Sequence, residues 1–281
     1  MSSPSPTPEE ITRASRSNLA LAFIALPKER RRDISVFYAF CRVVDDLADD
    51  PGLSSEARQS ALDQWKRAIV APIDPDPPLA PAVRDLIARY RLPPEHFLEI
   101  IAGMEMDLAG ANYGTWEELR VYCHRVASVV GLVSIEIFGC RDPQCRKYAE
   151  ELGLALQLTN ILRDVGQDFA NGGRVYLPRE DLARFGYTVE DLAAGRCDQR
   201  FRELMDFEAQ RARELYASAV ANRPPGERRT LVAAEIMRSV YSRILDRMET
   251  DGFRVFGKRY RLNRWEKLGS IVKTLIASRL A

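Results

Sequence analysis

Asp45 and Asp49 stand four residues apart in the run Val43-Val44-Asp45-Asp46-Leu47-Ala48-Asp49-Asp50. Asp164 and Asp168 stand four apart in Gln157-Leu158-Thr159-Asn160-Ile161-Leu162-Arg163-Asp164-Val165-Gly166-Gln167-Asp168. On a helix, residues at this spacing share a face. Like charges so placed cost an isolated helix about 0.2–0.5 kcal/mol, and aspartate is a poor helix former. Helix stability therefore gives no reason for the pattern, let alone for two copies. Clustered carboxylate oxygens suit hard divalent ions, above all Mg²⁺, which shares its shell with waters and substrate phosphates. Two such helices facing each other across a cavity would grip Mg²⁺ and one diphosphate. The plainer alternatives are a solvated helix end running into Pro51-Gly52, and surface acids paired with Arg163 and Arg174.

Arg42 lies three residues before Asp45, on nearly the same face, and Gln157, Asn160, Asp164 and Asp168 form one polar stripe on an otherwise mostly apolar helix. Tyr122 and Arg125 sit in Tyr122-Cys123-His124-Arg125-Val126-Ala127-Ser128, where the small residues admit a close neighbour. Asp107 is an acid in the apolar run Gly103-Met104-Glu105-Met106-Asp107-Leu108. Tyr122 could equally be a core tyrosine with a satisfied hydroxyl, and Asp107 a surface acid. His124 reads as structural, and Cys140 and Cys145 as ordinary thiols flanking a turn. Gly172-Gly173 is a hinge that could fold Arg174 over the second acidic helix as a flap.

The elements that must position these residues read as helices throughout. Apolar positions Ile34, Phe37, Tyr38, Cys41, Val44 and Leu47 mostly step by three or four, as do those of 143–169, 201–220, 227–248 and 265–280. Pro27, Pro94 and Pro143 fit first-turn positions, and Thr115 with Glu118 resembles a capping box. The fold class is all-α. The chain has 281 residues, 46% of them hydrophobic and 29% charged, enough for a large core. Five prolines in 71–81 exclude helix there, and the stretch reads as a loop within one domain. Residues 1–10 read as a disordered lead-in, leaving 11–281 as a single domain. A formal net charge of +1 gives no basic excess for nucleic acid. Five cysteines and two histidines, with no Cys-x-x-Cys, point to reduced thiols rather than disulfides or zinc, and to the cytoplasm. The longest uncharged stretches, 17–27 and 152–162, are 11 residues each, short of a membrane span. No secretory signal is expected.

These motifs together resemble the squalene/phytoene synthase family of head-to-head prenyl transferases, over nearly the whole chain. Tyr38-Ala39-Phe40-Cys41-Arg42 with 45–49 resembles the family's first aspartate-rich motif. The run 157–168 with Gly173-Arg174-Val175-Tyr176-Leu177-Pro178 resembles the second, and 122–127 the tyrosine motif. The resemblance implies a single all-α isoprenoid-synthase bundle with a central cavity. It implies that Asp45, Asp49, Asn160, Asp164 and Asp168 bind Mg²⁺, about two or three ions. Arg42, Arg163, Arg174, Tyr38 and Asn18, with Tyr241 and Arg259, would bind diphosphate. Tyr122 would lie near the reacting carbons, and Phe23, Asp107 and Gln157 in the cavity. Apolar walls such as Phe23, Phe37, Phe40 and Leu158 would hold prenyl tails. Where many members carry a lysine, this chain has Ser15-Arg16-Ser17-Asn18, with Arg16 as a substitute.

The wording of 122–139 is most like bacterial enzymes of squalene and hopanoid pathways. The expectation is therefore condensation of two farnesyl diphosphates to presqualene diphosphate, with NADPH needed if the product is squalene. Within the family the alternatives are phytoene from two geranylgeranyl diphosphates, and dehydrosqualene or hydroxysqualene. From other classes they are a terpene cyclase and a helical scaffold that has lost its chemistry. A greasy product is compatible with peripheral membrane contact, although no helix reads as clearly amphipathic in the membrane-surface sense.

Overall fold

The computed structural model describes residues 7–14, 21–110 and 112–279. The helices are α1 (Pro8–Ala14), α2 (Lys28–Asp49), α3 (Ser55–Val70), α4 (Ala80–Tyr90), α5 (Pro94–Leu108), α6 (Trp116–Cys123), α7 (Val129–Phe138), α8 (Gln144–Ala170), α9 (Arg179–Arg184), α10 (Val189–Ala193), α11 (Gln199–Ala221), α12 (Val232–Thr250) and α13 (Arg264–Arg279). No strand occurs among the described residues; extended pairing is limited to an isolated parallel bridge between Asn112 and Val175.

Local chemistry accounts for the boundaries. Ser54 caps α3 by accepting from the Ala57 N–H. Thr115 accepts from the Glu118 N–H, but the Glu118 carboxylate accepts from Gly114 N–H rather than closing a full box on Thr115. The disordered lead-in expected over 1–10 is corrected at its end, because α1 begins at Pro8. Thr7 and Glu10 cap each other reciprocally, Thr7 N–H to Glu10 Oε2 at 2.7 Å and Glu10 N–H to Thr7 Oγ1 at 3.3 Å. That is a Thr-x-x-Glu capping box with proline at the first helical position. The helix expected from 227 begins at Val232, since Pro225–Glu227 forms a 3₁₀ turn.

The proline-rich stretch is a loop between α3 and α4. Arg84 ties it down through Asp76 and the Ala68 carbonyl, and Trp65, Ile69, Ala80 and Val83 on either side enter one buried cluster. The run from Trp116 to Phe138 is long and apolar enough to cross a bilayer, by length and composition alone, and half of its most apolar window is buried in the fold. It packs against α5 and α8 and carries a π-helical turn at His124–Ser128. Such turns widen a helix locally. Two glycines let the neighbouring helices meet it. A Cβ at Gly153 of α8 would fall 2.5 Å from Ser128 Cα, and one at Gly103 of α5 would fall 2.5 Å from Val126 Cγ1.

Gly153→Ala gains about 1 kcal/mol in helix propensity but drives Cβ into backbone that has no rotamer to yield. We expect a net loss of about 1–3 kcal/mol. Gly269→Ala, with nothing within 4 Å of its added Cβ, should keep the propensity gain. Urea unfolding of both variants measures this; equal effects would show that the helix approach at Gly153 is not tight.

Candidate active site

The first acidic row ends α2. Asp45 and Asp49 sit one turn apart with half-exposed side chains, and Arg42 bonds Asp45 Oδ2 at 2.9 Å and also Asp46. The second row lies on α8. Arg163 Nε bonds Asp164 Oδ1 at 2.9 Å, and Arg259 approaches the same oxygen at 3.2 Å. After α8 the chain reverses through Gly172 and Gly173, whose φ values of 97° and 71° are the left-handed region open to glycine. The strap that follows joins the rows. The Arg174 N–H donates to the Asp168 carbonyl at 3.3 Å, and its guanidinium bonds Asp49 Oδ1 at 2.6 Å. The flap expected at Arg174 is therefore closed over the second acidic helix and reaches the first.

Asp107, on α5, is buried and held by two phenols: Tyr122 OH donates to Oδ2 at 3.0 Å and Tyr176 OH to Oδ1 at 2.7 Å. Tyr113 completes a group of three rings with centroids 5.2–6.3 Å apart. The Tyr113 hydroxyl is buried and has no partner among the described residues. Tyr113 and Tyr176 were not singled out from the sequence. The available signal was alternation in the strap, since Arg174 and Tyr176 are two apart in extended chain. Burial pushes the Asp107 carboxyl up to about 6, against the tyrosine hydroxyls and Arg174, which pull it down.

A cavity of about 400 Å³ lies beside the acidic rows, within the size range of small-molecule sites. Its polar wall is Tyr38, Arg42, Gln157, Asn160, Arg163 and Tyr241; its apolar wall includes Phe23, Val130, Phe138, Leu156 and Met237. The four aspartates are not on this wall. Asp45 and Asp164 lie one bond beyond the wall arginines 42 and 163. Tyr122 and Asp107 are also off the wall, in the tyrosine group, while Val126 and Ala127 line it. The expectation that Phe37, Phe40 and Leu158 form the walls is corrected. All three are packed in the core, Phe40 against Trp65 and Phe97, with no cavity face. Asn18, and Arg16 beside it, lie outside the described residues.

The donor set suits a hard divalent cation. Asn160 Oδ1 is buried without a partner, while its Nδ2 donates to Gln157; an orphaned acceptor beside carboxylates fits a metal ligand. Desolvation first, then the Asp164 charge, pushes Asp168 up to about 7. Desolvation together with Asp49 and Asp46 pushes Asp45 up to about 6, despite the pull of Arg42. A cation would relieve both. Among the described residues no three His, Cys, Asp or Glu side chains converge as a ready-made metal shell.

The family model for squalene/phytoene synthase matches residues 12–266 of this chain. A phytoene synthase of Arthrospira platensis is 39% identical over 86% of the chain and 83% of its own length. A presqualene diphosphate synthase of Zymomonas mobilis is 37% identical over 95% and 92%. A crystallised dehydrosqualene synthase in complex with ligand superposes with a TM-score of 0.85 at 25% identity, covering 98% of this chain and 96% of its own.

Asp107 supplies a stability test. Its carboxyl is raised in the folded state from 3.8 to about 6, so the folded protein holds the proton more tightly than the unfolded chain. This stabilisation is complete below pH 3.8 and is lost as pH rises through about 6. Asp107→Asn should remove that slope. Between pH 4 and pH 7.5 the variant should gain about 2 kcal/mol on the parent protein, measured by denaturant unfolding in EDTA. A pH-independent difference would mean that Asp107 titrates as an ordinary acid.

Proposed function

The chain belongs to the squalene/phytoene synthase family of head-to-head prenyl transferases, and we propose that it condenses two farnesyl diphosphates into presqualene diphosphate. The observation that carries this reading is an apolar cavity whose polar wall, Arg42, Asn160 and Arg163, abuts two carboxylate rows joined by Arg174.

Asp45, Asp49, Asn160, Asp164 and Asp168 would hold Mg²⁺, which when bound supplies positive charge to a departing diphosphate. The arginines carry the complementary task. Arg42, Arg163, Arg174 and Arg259 each already bond a carboxylate of the two rows, so diphosphate oxygens would exchange one anionic partner for another at fixed positions. Tyr38 and Tyr241 flank them on the wall. The apolar wall then excludes water from an allylic cation while the second prenyl double bond attacks it. A proton must leave to close the cyclopropane ring. Tyr122 stays protonated, since burial holds its phenol well above its ordinary range, so it offers no free phenolate to take the proton. Asp107 already accepts from the Tyr122 and Tyr176 phenols, so a proton that reached either hydroxyl from the neighbouring cavity would pass on to its carboxylate while the phenol's own proton is released to it.

The second reading is condensation of two geranylgeranyl diphosphates to phytoene, and the phytoene synthases that predominate among the similar proteins support it. Pyrophosphate release and extracted products, followed with each diphosphate in Mg²⁺ with and without NADPH, separate the readings. We expect turnover of farnesyl diphosphate to presqualene diphosphate, at least tenfold slower use of geranylgeranyl diphosphate, and loss of activity in EDTA. Preference for geranylgeranyl diphosphate would establish the second reading. Absence of pyrophosphate release with either would point to a scaffold. NADPH converts the product to squalene only if the enzyme also reduces.

Arg174→Gln should lower kcat by about 10²–10³-fold, the scale for removing one preorganised group that stabilises developing charge. A small change in kcat, with the fold intact by circular dichroism, would remove Arg174 from the diphosphate site.

A further inference from the structure

Helix α13 is attached by one face only. Ser270 is buried and Ile271 and Leu275 pack on the core. Arg243 bonds Ser270 Oγ at 3.1 Å, and Arg247 holds both the Glu266 carboxylate and the Arg261 carbonyl. The opposite face carries Trp265, Leu268, Val272 and Ile276, which are 80%, 49%, 46% and 53% exposed. Their spacing of three, four and four places them in one stripe along the helix. Ten large apolar residues are exposed among the described residues, and these four share one 16-residue helix. Scattered exposed apolar residues need no explanation, whereas a contiguous patch marks an interaction surface.

Charge identifies the partner. Between Arg261 and Arg279 the sequence places Arg261, Arg264, Lys267, Lys273 and Arg279 against a single acid, Glu266, in a chain of net charge +1. Glu266 is already neutralised by Arg247. A basic helix with an aromatic and aliphatic stripe matches an anionic bilayer surface, where the stripe enters the acyl boundary and the cations meet headgroups. The surface also leads toward the cavity. Arg264 shares with Ile24 a cleft lined by both signs of charge, Lys28 and Arg32 with Glu9 and Glu29, and Phe23 lines both this cleft and the central cavity. A second copy of the chain would have to bring the same cationic face against itself.

We propose that α13 docks this protein on an anionic lipid surface, with Trp265, Leu268, Val272 and Ile276 inserted. The periodicity of 265–280 was legible in the sequence, but not which of its faces the core would leave uncovered. The inference does not depend on which prenyl diphosphate is used.

The test is co-sedimentation of the full chain with vesicles of phosphatidylcholine alone and of phosphatidylcholine with phosphatidylglycerol. Binding should require phosphatidylglycerol and weaken with salt. Tryptophan emission should shift to the blue on binding, a signal that Trp265→Phe removes because Trp65 is buried and Trp116 is packed on the core beneath Arg211. The variant Leu268→Ser/Val272→Ser/Ile276→Ser should bind at least tenfold more weakly, with unchanged circular dichroism and unchanged pyrophosphate release in detergent. Lys273→Glu should weaken binding in the same direction. Equal sedimentation of the triple variant, or no sedimentation of the parent protein, overturns the proposal. So does a dimer in analytical ultracentrifugation that the triple variant abolishes, since a second copy would then cover the stripe.

Discussion

Asp49 closes α2 and Asp168 lies near the end of α8, and both helices carry further acids that repel them. What holds the two ends in register is Arg174, whose backbone is fastened to one helix and whose guanidinium is fastened to the other. With the Asp49 side chain half-exposed, the pair contributes modestly to stability; its part is geometric, fixing where the two helix ends stand. The remainder of the site depends on this fastening. The strap that carries Arg174 also carries Tyr176 onto Asp107, and the backbone bridge from Val175 to Asn112 draws Tyr113 into the same group. One short segment thus sets the relative positions of α2, α5 and α8.

Much of this was legible in the order of residues. Aspartates four apart must share a helical face, and each row had an arginine within reach. The polar stripe Gln157, Asn160, Asp164 and Asp168 follows from helical spacing alone. Asn160 and Gln157 do line the cavity, with Tyr38, Arg42, Arg163 and Tyr241. The apolar residues were less legible. Phe23 and Phe40 are both aromatic neighbours of the first motif, yet Phe23 faces the cavity and Phe40 is enclosed by Trp65 and Phe97. Periodicity identifies a buried face but does not separate a wall from a core, because both are dry. Tyr113 was unreadable for another reason: its role comes from a contact between two loops distant in sequence, and loops carry no period.

The glycines answer a related problem. A site between helices needs some of them closer than ordinary side chains allow, so that others can stand apart. Gly153 against the backbone of Ser128, and Gly103 against Val126, bring α5 and α8 onto the π-helical turn. The same face of α8 continues from Gly153 to Leu156, Gln157 and Asn160, which with Val126 and Ala127 border the open cavity.

The partners of the Arg174–Asp49 bond are separated by 125 residues of chain. Everything between them, from α3 through α8, must be synthesised and folded before the two acidic rows can meet. A polypeptide that has emerged only as far as α7 therefore carries one of the two charge rows. Even once the rows have met, the cavity is unwalled on one side, because Met237 and Tyr241 of α12 and Arg259 beside Asp164 come later still in the chain.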